Sequence, residues 1–147
     1  AEEDVSPMVL GGHGDTMVPL PRYTTVGGIP ITQLMSEDRI EAISARTAGG
    51  GGEIVKLLER GSAFYAPGSA AAIMAEAVLN DRRRVIPASC HLTGQYGLED
   101  VYIGVPCILG ANGVETIFEL DLSDAELESL QGSANFYKGQ LKDILGY

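Results

Sequence analysis

The strongest constraint on the fold lies in the second half of the chain, where three apolar, β-branched runs follow one another with turn signals between them. Residues 85–93, 101–109 and 114–120 read as strands. The last two are joined through Gly110-Ala111-Asn112-Gly113, and Asn-Gly is a strong signal for a tight antiparallel hairpin because both residues tolerate positive φ. Pro106 falls inside the middle run. Without an N–H to give to the ladder, it predicts an edge position or a bulge.

Helical patterns surround this sheet. Ser36 is suited to cap a helix, with Glu37 and Asp38 near the positive end of its dipole and Ile40 and Ile43 opening an apolar face. Gly49-Gly50-Gly51-Gly52 reads on composition as a linker or a helix break. It is no phosphate loop, since no Gly-Lys-Ser/Thr follows and no strand precedes it. A second, alanine-rich helix is predicted over 67–79, with Ile73, Met74, Val78 and Leu79 for packing. Ser123-Asp124-Ala125-Glu126 forms a capping box for the last helix. There Leu127, Leu130, Ala134, Leu141 and Leu145 recur at helical spacing. The fold class is α+β, an antiparallel sheet packed by long helices.

Near the N-terminus, residues 5–10 read as a strand, and 23–26 and 29–32 as two short runs split by Gly27-Gly28, a hairpin or a bent strand. Between them lies Gly11-Gly12-His13-Gly14-Asp15-Thr16, which carries the only histidine of the first ninety residues. Glycines on both sides give a ligand close access to the imidazole. Asp15 suits the turn. An imidazole in such a place can take up and release a proton near neutral pH.

Composition narrows the partners. The 147 residues carry 20 acidic and 10 basic side chains, a net charge of −10, which argues against nucleic acid. No apolar run approaches the ~20 residues needed to cross a bilayer, and no signal-peptide pattern opens the chain. It begins at Ala1, which fits processing or a piece of something longer. Cys90 and Cys107 fall in apolar strand contexts, as expected of buried free thiols in a cytoplasmic protein. A zinc site from Cys90, His91, Cys107 and His13 has the residue types but none of the usual spacings, so no metal is expected. Asp81-Arg82-Arg83-Arg84 is either an anion site or, more simply, a solvated turn.

The longer string from Gly11 through Leu20, followed by Arg22-Tyr23-Thr24-Thr25-Val26-Gly27-Gly28-Ile29-Pro30, closely resembles the catalytic-histidine segment of malate dehydrogenases of the bacterial, lactate dehydrogenase-like type. The resemblance continues through Gly51-Gly52-Glu53-Ile54-Val55, Gly61-Ser62-Ala63-Phe64-Tyr65-Ala66-Pro67, Gly94-Gln95-Tyr96-Gly97 and Gly104-Val105-Pro106. It spans essentially the whole chain, and it covers only the C-terminal, substrate-binding half of such an enzyme. The Rossmann half with its Gly-x-Gly-x-x-Gly loop has no counterpart in these residues.

The resemblance implies reversible oxidation of malate to oxaloacetate with NAD. His13 would be the proton acceptor and donor, Ser62 and Ala63 would face substrate, and Pro67 would lie near the nicotinamide. It also implies that the NAD-binding half supplies the arginines that grip carboxylates and the aspartate behind the histidine, and that the enzyme is a homodimer or homotetramer. Through the family's long helix it implies one kinked helix from 36 to 60, with Ile54, Val55, Leu57 and Leu58 on its core face. Gly12, Met17 and the small Ala63 favour malate over lactate, and the chain alone is expected to be inactive. The alternatives are a lactate dehydrogenase of the same superfamily, a non-catalytic interaction or oligomerisation domain, and a metal-dependent hydrolase using His13, Asp15 and His91.

Overall fold

The computed structural model describes residues 1–146, and these form two antiparallel sheets and three α-helices. The larger sheet is built on β7 (Glu99–Gly110), which pairs with β6 (Arg84–Thr93) from Glu99 to Leu109 with one register shift near Asp100. The other side of β7 is shared. β2 (Val9–Gly11) meets it at Gly104, and β8 (Gly113–Ile117) pairs with it from Cys107 to Gly110. β3 (Met17–Pro19) extends the sheet beyond β2. The smaller sheet joins β1 (Val5–Ser6), β4 (Thr25–Val26) and β5 (Ile29–Pro30). The α+β class expected from the sequence is the one observed.

Alternation decides which face is buried. Ala88, Cys90 and Leu92 of β6, with Val101, Ile103, Val105 and Cys107 of β7, point to one side and form the core with Leu10, Val18 and Leu20. α3 (Asp124–Leu145) covers that side through Leu130 and Ala134, both fully buried. Its start is the capping box read from the sequence: Ser123 N–H donates to Glu126 Oε2 at 2.8 Å, and Glu126 N–H donates to Ser123 Oγ at 3.3 Å. Leu141 and Leu145, assigned to the same apolar stripe, stay exposed. The packed part of α3 therefore ends near Tyr137.

Pro106 corrects one expectation. It sits inside the sheet, directly opposite Pro87 of β6. An antiparallel pair exchanges both of its hydrogen bonds or neither, so two prolines can face each other only at a non-bonded pair, with their nitrogens turned outward. Pro87 turns toward the open edge of β6. Pro106 turns toward the interval between β2 and β8, where no donor is required, and its carbonyl accepts the Phe118 N–H at 2.9 Å.

Other boundaries moved for local reasons. The run 5–10 is two strands in different sheets, divided at Pro7. The run 29–32 becomes a two-residue strand and a 3-10 turn, Ile31–Gln33. β8 ends at Ile117, before the expected 120. The hairpin turn is Ala111 and Asn112, with Gly113 at φ 83° opening β8.

α1 (Glu37–Leu58) runs through the four glycines as one helix, while Arg46 and Glu53 form a two-pronged ion pair at 2.7 and 3.0 Å across them. α2 (Tyr65–Leu79) starts two residues before the expected position and buries only Ala77 fully. The core face assigned to these helices is corrected by their exposure. Ile54, Val55, Leu57, Leu58, Ile73, Met74 and Leu79 all lie open, Leu57 at 76% and Leu79 at 83%. Their apolar stripes are real but face away from this domain's core. Among the described residues, no helix is long and apolar enough to cross a membrane.

Candidate active site

β2 ends at Gly11 and delivers Gly12 and His13 into a 3-10 turn, Gly14–Thr16, from which β3 returns. His13 thus stands at the tip of a tight hairpin anchored to the sheet. The approach of β7 beneath it depends on Gly104, since a Cβ there would stand 2.6 Å from the Gly11 carbonyl oxygen. Gly12 is more confined still, because a Cβ there would overlap the Tyr137 ring and the Thr16 hydroxyl.

The loop is gripped from α3 by Ser133 and Tyr137, one turn apart on the same helix face. Gly12 N–H donates to Ser133 Oγ at 2.9 Å, and that hydroxyl donates to the Thr16 carbonyl at 2.7 Å. His13 N–H donates to Tyr137 Oη at 3.1 Å, and Tyr137 Oη lies 3.3 Å from Thr16 Oγ1. Thr16 Oγ1 reaches the His13 carbonyl at a longer 3.5 Å. Hydrogen bonding with Thr16 and the bond from the His13 N–H hold the Tyr137 hydroxyl below the ordinary tyrosine value.

These bonds fix the backbone of His13 and leave its side chain exposed. A cavity of about 380 Å³ opens beside it, walled by β2, Ser89, Tyr102 and Tyr137. Among the described residues no carboxylate holds the imidazole, and Asp15 sits exposed in the turn without a hydrogen bond to it. An exposed imidazole on a fixed backbone can give or take a proton from a molecule that docks against it.

Ser62, Ala63 and Pro67 lie elsewhere on the chain. Ser62 and half-buried Ala63 belong to the connection between α1 and α2, and Pro67 is exposed in the first turn of α2. None of them is on the wall of the His13 cavity. Ser62 does not cap α2. Phe64 occupies that position, and its N–H donates to the Ser62 carbonyl at 3.0 Å.

The other sequence candidates separate as well. Cys90 and Cys107 are buried free thiols on the core face. His91, next to Cys90 in β6, points to the opposite face, where its ring lies 5.0 Å from Tyr102 and its Nε2 3.7 Å from Asp100. Among the described residues no three His, Cys, Asp or Glu side chains gather as a metal-binding set. In the basic run, Arg82 pairs with Glu76 and Arg83 with Glu115, as in a solvated turn.

Sequence reasoning missed Thr16, Ser133 and Tyr137. Tyr137 falls between Ala134 and Leu141 at helical spacing, which is a signal for the packed face of α3, but nothing in one sequence says that this face meets the His13 loop.

Residues 1–146 match the family model of the lactate/malate dehydrogenase α/β C-terminal domain. The malate dehydrogenase of Thermomicrobium roseum is 64% identical over 132 residues, 90% of this chain and 42% of that protein. The structure of malate dehydrogenase from Salinibacter ruber superposes with a TM-score of 0.95 at 53% identity, covering 99% of this chain and 47% of that one. A lactate dehydrogenase from Eimeria maxima, solved with NADH and oxamate, superposes at 0.94 with 46% identity, covering 99% of this chain and 47% of that one. The chain thus spans less than half the length of the proteins it resembles.

Proposed function

The chain belongs to the lactate/malate dehydrogenase family as its α/β C-terminal domain, and on that premise we propose that it is the catalytic, substrate-binding half of an NAD-dependent malate dehydrogenase. The observation that carries this reading is His13, exposed at the tip of a hairpin whose backbone is fixed by α3. As malate is oxidised, its hydroxyl proton passes to a ring nitrogen of His13 while the C–H bond at the same carbon breaks. In the reverse direction His13 returns that proton to the forming alkoxide. NAD supplies the acceptor for the hydride, and Pro67, exposed on the first turn of α2 next to exposed Phe64, is the residue of this chain offered to its nicotinamide.

Ser62 and Ala63 complete this chain's wall of the pocket, Ala63 leaving room for the second carboxylate of oxaloacetate. With a net charge of −10 and no lysine or arginine among the described residues that line the His13 cavity, this wall of the site offers no cationic clamp of its own for an anionic substrate. The clamps, the dinucleotide cradle and the carboxylate behind His13 belong to an N-terminal Rossmann half outside these 147 residues. The exposed stripes of α1 and α2 are suited to docking against that half and against further copies in a cytoplasmic homodimer or homotetramer.

The test is NADH oxidation by this chain joined to its cofactor-binding half, with oxaloacetate and pyruvate compared by kcat/KM. Oxaloacetate as the better substrate supports the malate reading. A preference for pyruvate makes the protein a lactate dehydrogenase, the second reading, which rests on its 0.94 superposition on the lactate enzyme. Turnover of neither removes the dehydrogenase assignment.

A further inference from the structure

The malate reading assigns the proton to His13 but leaves open what holds its imidazole in register with the substrate. We propose that Tyr137, acting with Thr16, is a positioning residue for His13. The Tyr137 hydroxyl ties the histidine's own backbone to α3, and its ring closes the space on the N-terminal side of that histidine. This inference rests on the reading of His13 as the proton shuttle.

Gly12 is tightly confined. Its neighbour space is filled by the Tyr137 ring and the Thr16 hydroxyl, so the peptide entering His13 cannot swing toward α3. The bond from His13 N–H to Tyr137 Oη, 3.1 Å, then fixes the plane of that same peptide. Thr16 bridges the hydroxyl at 3.3 Å and the His13 carbonyl at 3.5 Å, so the amide and carbonyl of one residue are linked through two side chains. Thr16 has one proton. When it serves the His13 carbonyl, the Tyr137 hydroxyl is free to donate to Thr16, and every group in the circuit is paired.

Ser133 does different work. It bonds Gly12 N–H and the Thr16 carbonyl, the two ends of the turn, rather than His13 itself. Ser133 therefore holds the loop closed, and Tyr137 sets the azimuth of the histidine within it. Proton transfer is sensitive to such orientation, since a misplacement near 1 Å costs up to about a hundredfold in rate. Tyr137 is half-buried and lies on the cavity wall beside His13, so its ring also limits the side from which substrate arrives.

The experiment compares native enzyme, comprising this chain and its cofactor-binding half, with Tyr137→Phe, Thr16→Val, Thr16→Ser and the double variant Tyr137→Phe/Thr16→Val. Phenylalanine keeps the ring over Gly12, so the fold survives while the hydroxyl is lost. The expected result is a fall in kcat for oxaloacetate of about tenfold to a hundredfold with KM within twofold. Backbone exchange at the His13 amide should be faster, and amides in β6 and β7 unchanged. Thr16→Ser should keep the native rate, and the double variant should lose no more than the worse single variant, because the two hydroxyls act as one unit.

Unchanged kcat in Tyr137→Phe, with or without faster exchange, overturns the proposal and leaves His13 as the shuttle. Strictly additive losses in the double variant overturn the shared circuit. Native enzyme that turns over neither oxaloacetate nor pyruvate overturns the functional reading itself, and the positioning role with it.

Discussion

The Tyr137 ring occupies the space that a Cβ on Gly12 would need, although 125 residues of sequence separate the two. Glycine is required there for clearance, and Gly12 is absent from the positive-φ positions of the chain. Gly12→Ala must push the ring and the Thr16 hydroxyl aside, at about 1–3 kcal/mol of stability. Urea denaturation measures this directly. Removing the obstruction in Gly12→Ala/Tyr137→Ala should make the pair cost less than the sum of its parts. Additive losses would mean that Gly12 is confined by something other than Tyr137.

Tyr96 predicts a second stability effect, away from the site. Its buried hydroxyl donates to the Phe118 carbonyl at 2.9 Å and accepts the Leu120 N–H at 2.8 Å. It thereby ties the turn between β6 and β7 to the segment entering α3. Tyr96→Phe keeps the ring and strands two backbone groups, a loss of about 1–3 kcal/mol. A thermal midpoint equal to the native one would show that these groups find other partners.

Cys90 makes stability depend on alkaline pH. Burial first, and then neighbouring Cys107, push its thiol from the ordinary value of 9 up to about 12. Between these values the folded chain keeps a proton that the unfolded chain has lost. The contribution is therefore intact below pH 9 and declines as pH rises toward 12. Denaturation midpoints followed from pH 8.5 to 11 should fall more steeply for native protein than for Cys90→Ala. Parallel slopes would contradict the assignment.

The elements that one sequence reveals are those governed by near neighbours along the chain. The capping box at Ser123 and Glu126 and the order of β6, β7 and β8 follow from local rules and stand where expected, with the hairpin turn one residue earlier than Asn112-Gly113 and β8 ending at Ile117 rather than 120. Pro106 was misplaced because its tolerance depends on which strand lies opposite, a fact of register. Apolar residues in α1 and α2 were assigned to this domain's core because periodicity reports that a face seeks burial, never against what. The histidine loop was legible from its glycines and His13. Its supports, Ser133 and Tyr137, were hidden because the contact is made between the two ends of the chain.

Those open stripes predict the behaviour of the chain on its own. Leu57 and Leu79 are more than three-quarters exposed, and Phe64 and Tyr65 project nearby in sequence. α1 also carries four glycines, each costing about 1 kcal/mol relative to alanine in a helix interior. The Arg46–Glu53 pair, exposed at the surface, offsets little of that. The isolated chain should bind an apolar dye strongly and associate with rising concentration, and joining it to the cofactor-binding half should reduce the dye signal. Weak dye binding by the isolated chain would show that these faces need no partner.

The central claim is that His13 carries the proton, and the most direct measurement is single-turnover NADH oxidation with oxaloacetate by native and His13→Asn enzyme, each joined to its cofactor-binding half. Asparagine is polar and of similar reach, and the backbone bonds to Ser133 and Tyr137 do not involve the imidazole, so fold and nucleotide binding should persist. If His13 carries the proton, the rate of the chemical step falls about 10²- to 10⁴-fold in the variant with denaturation unchanged. A variant that oxidises NADH at near-native rate would contradict that claim.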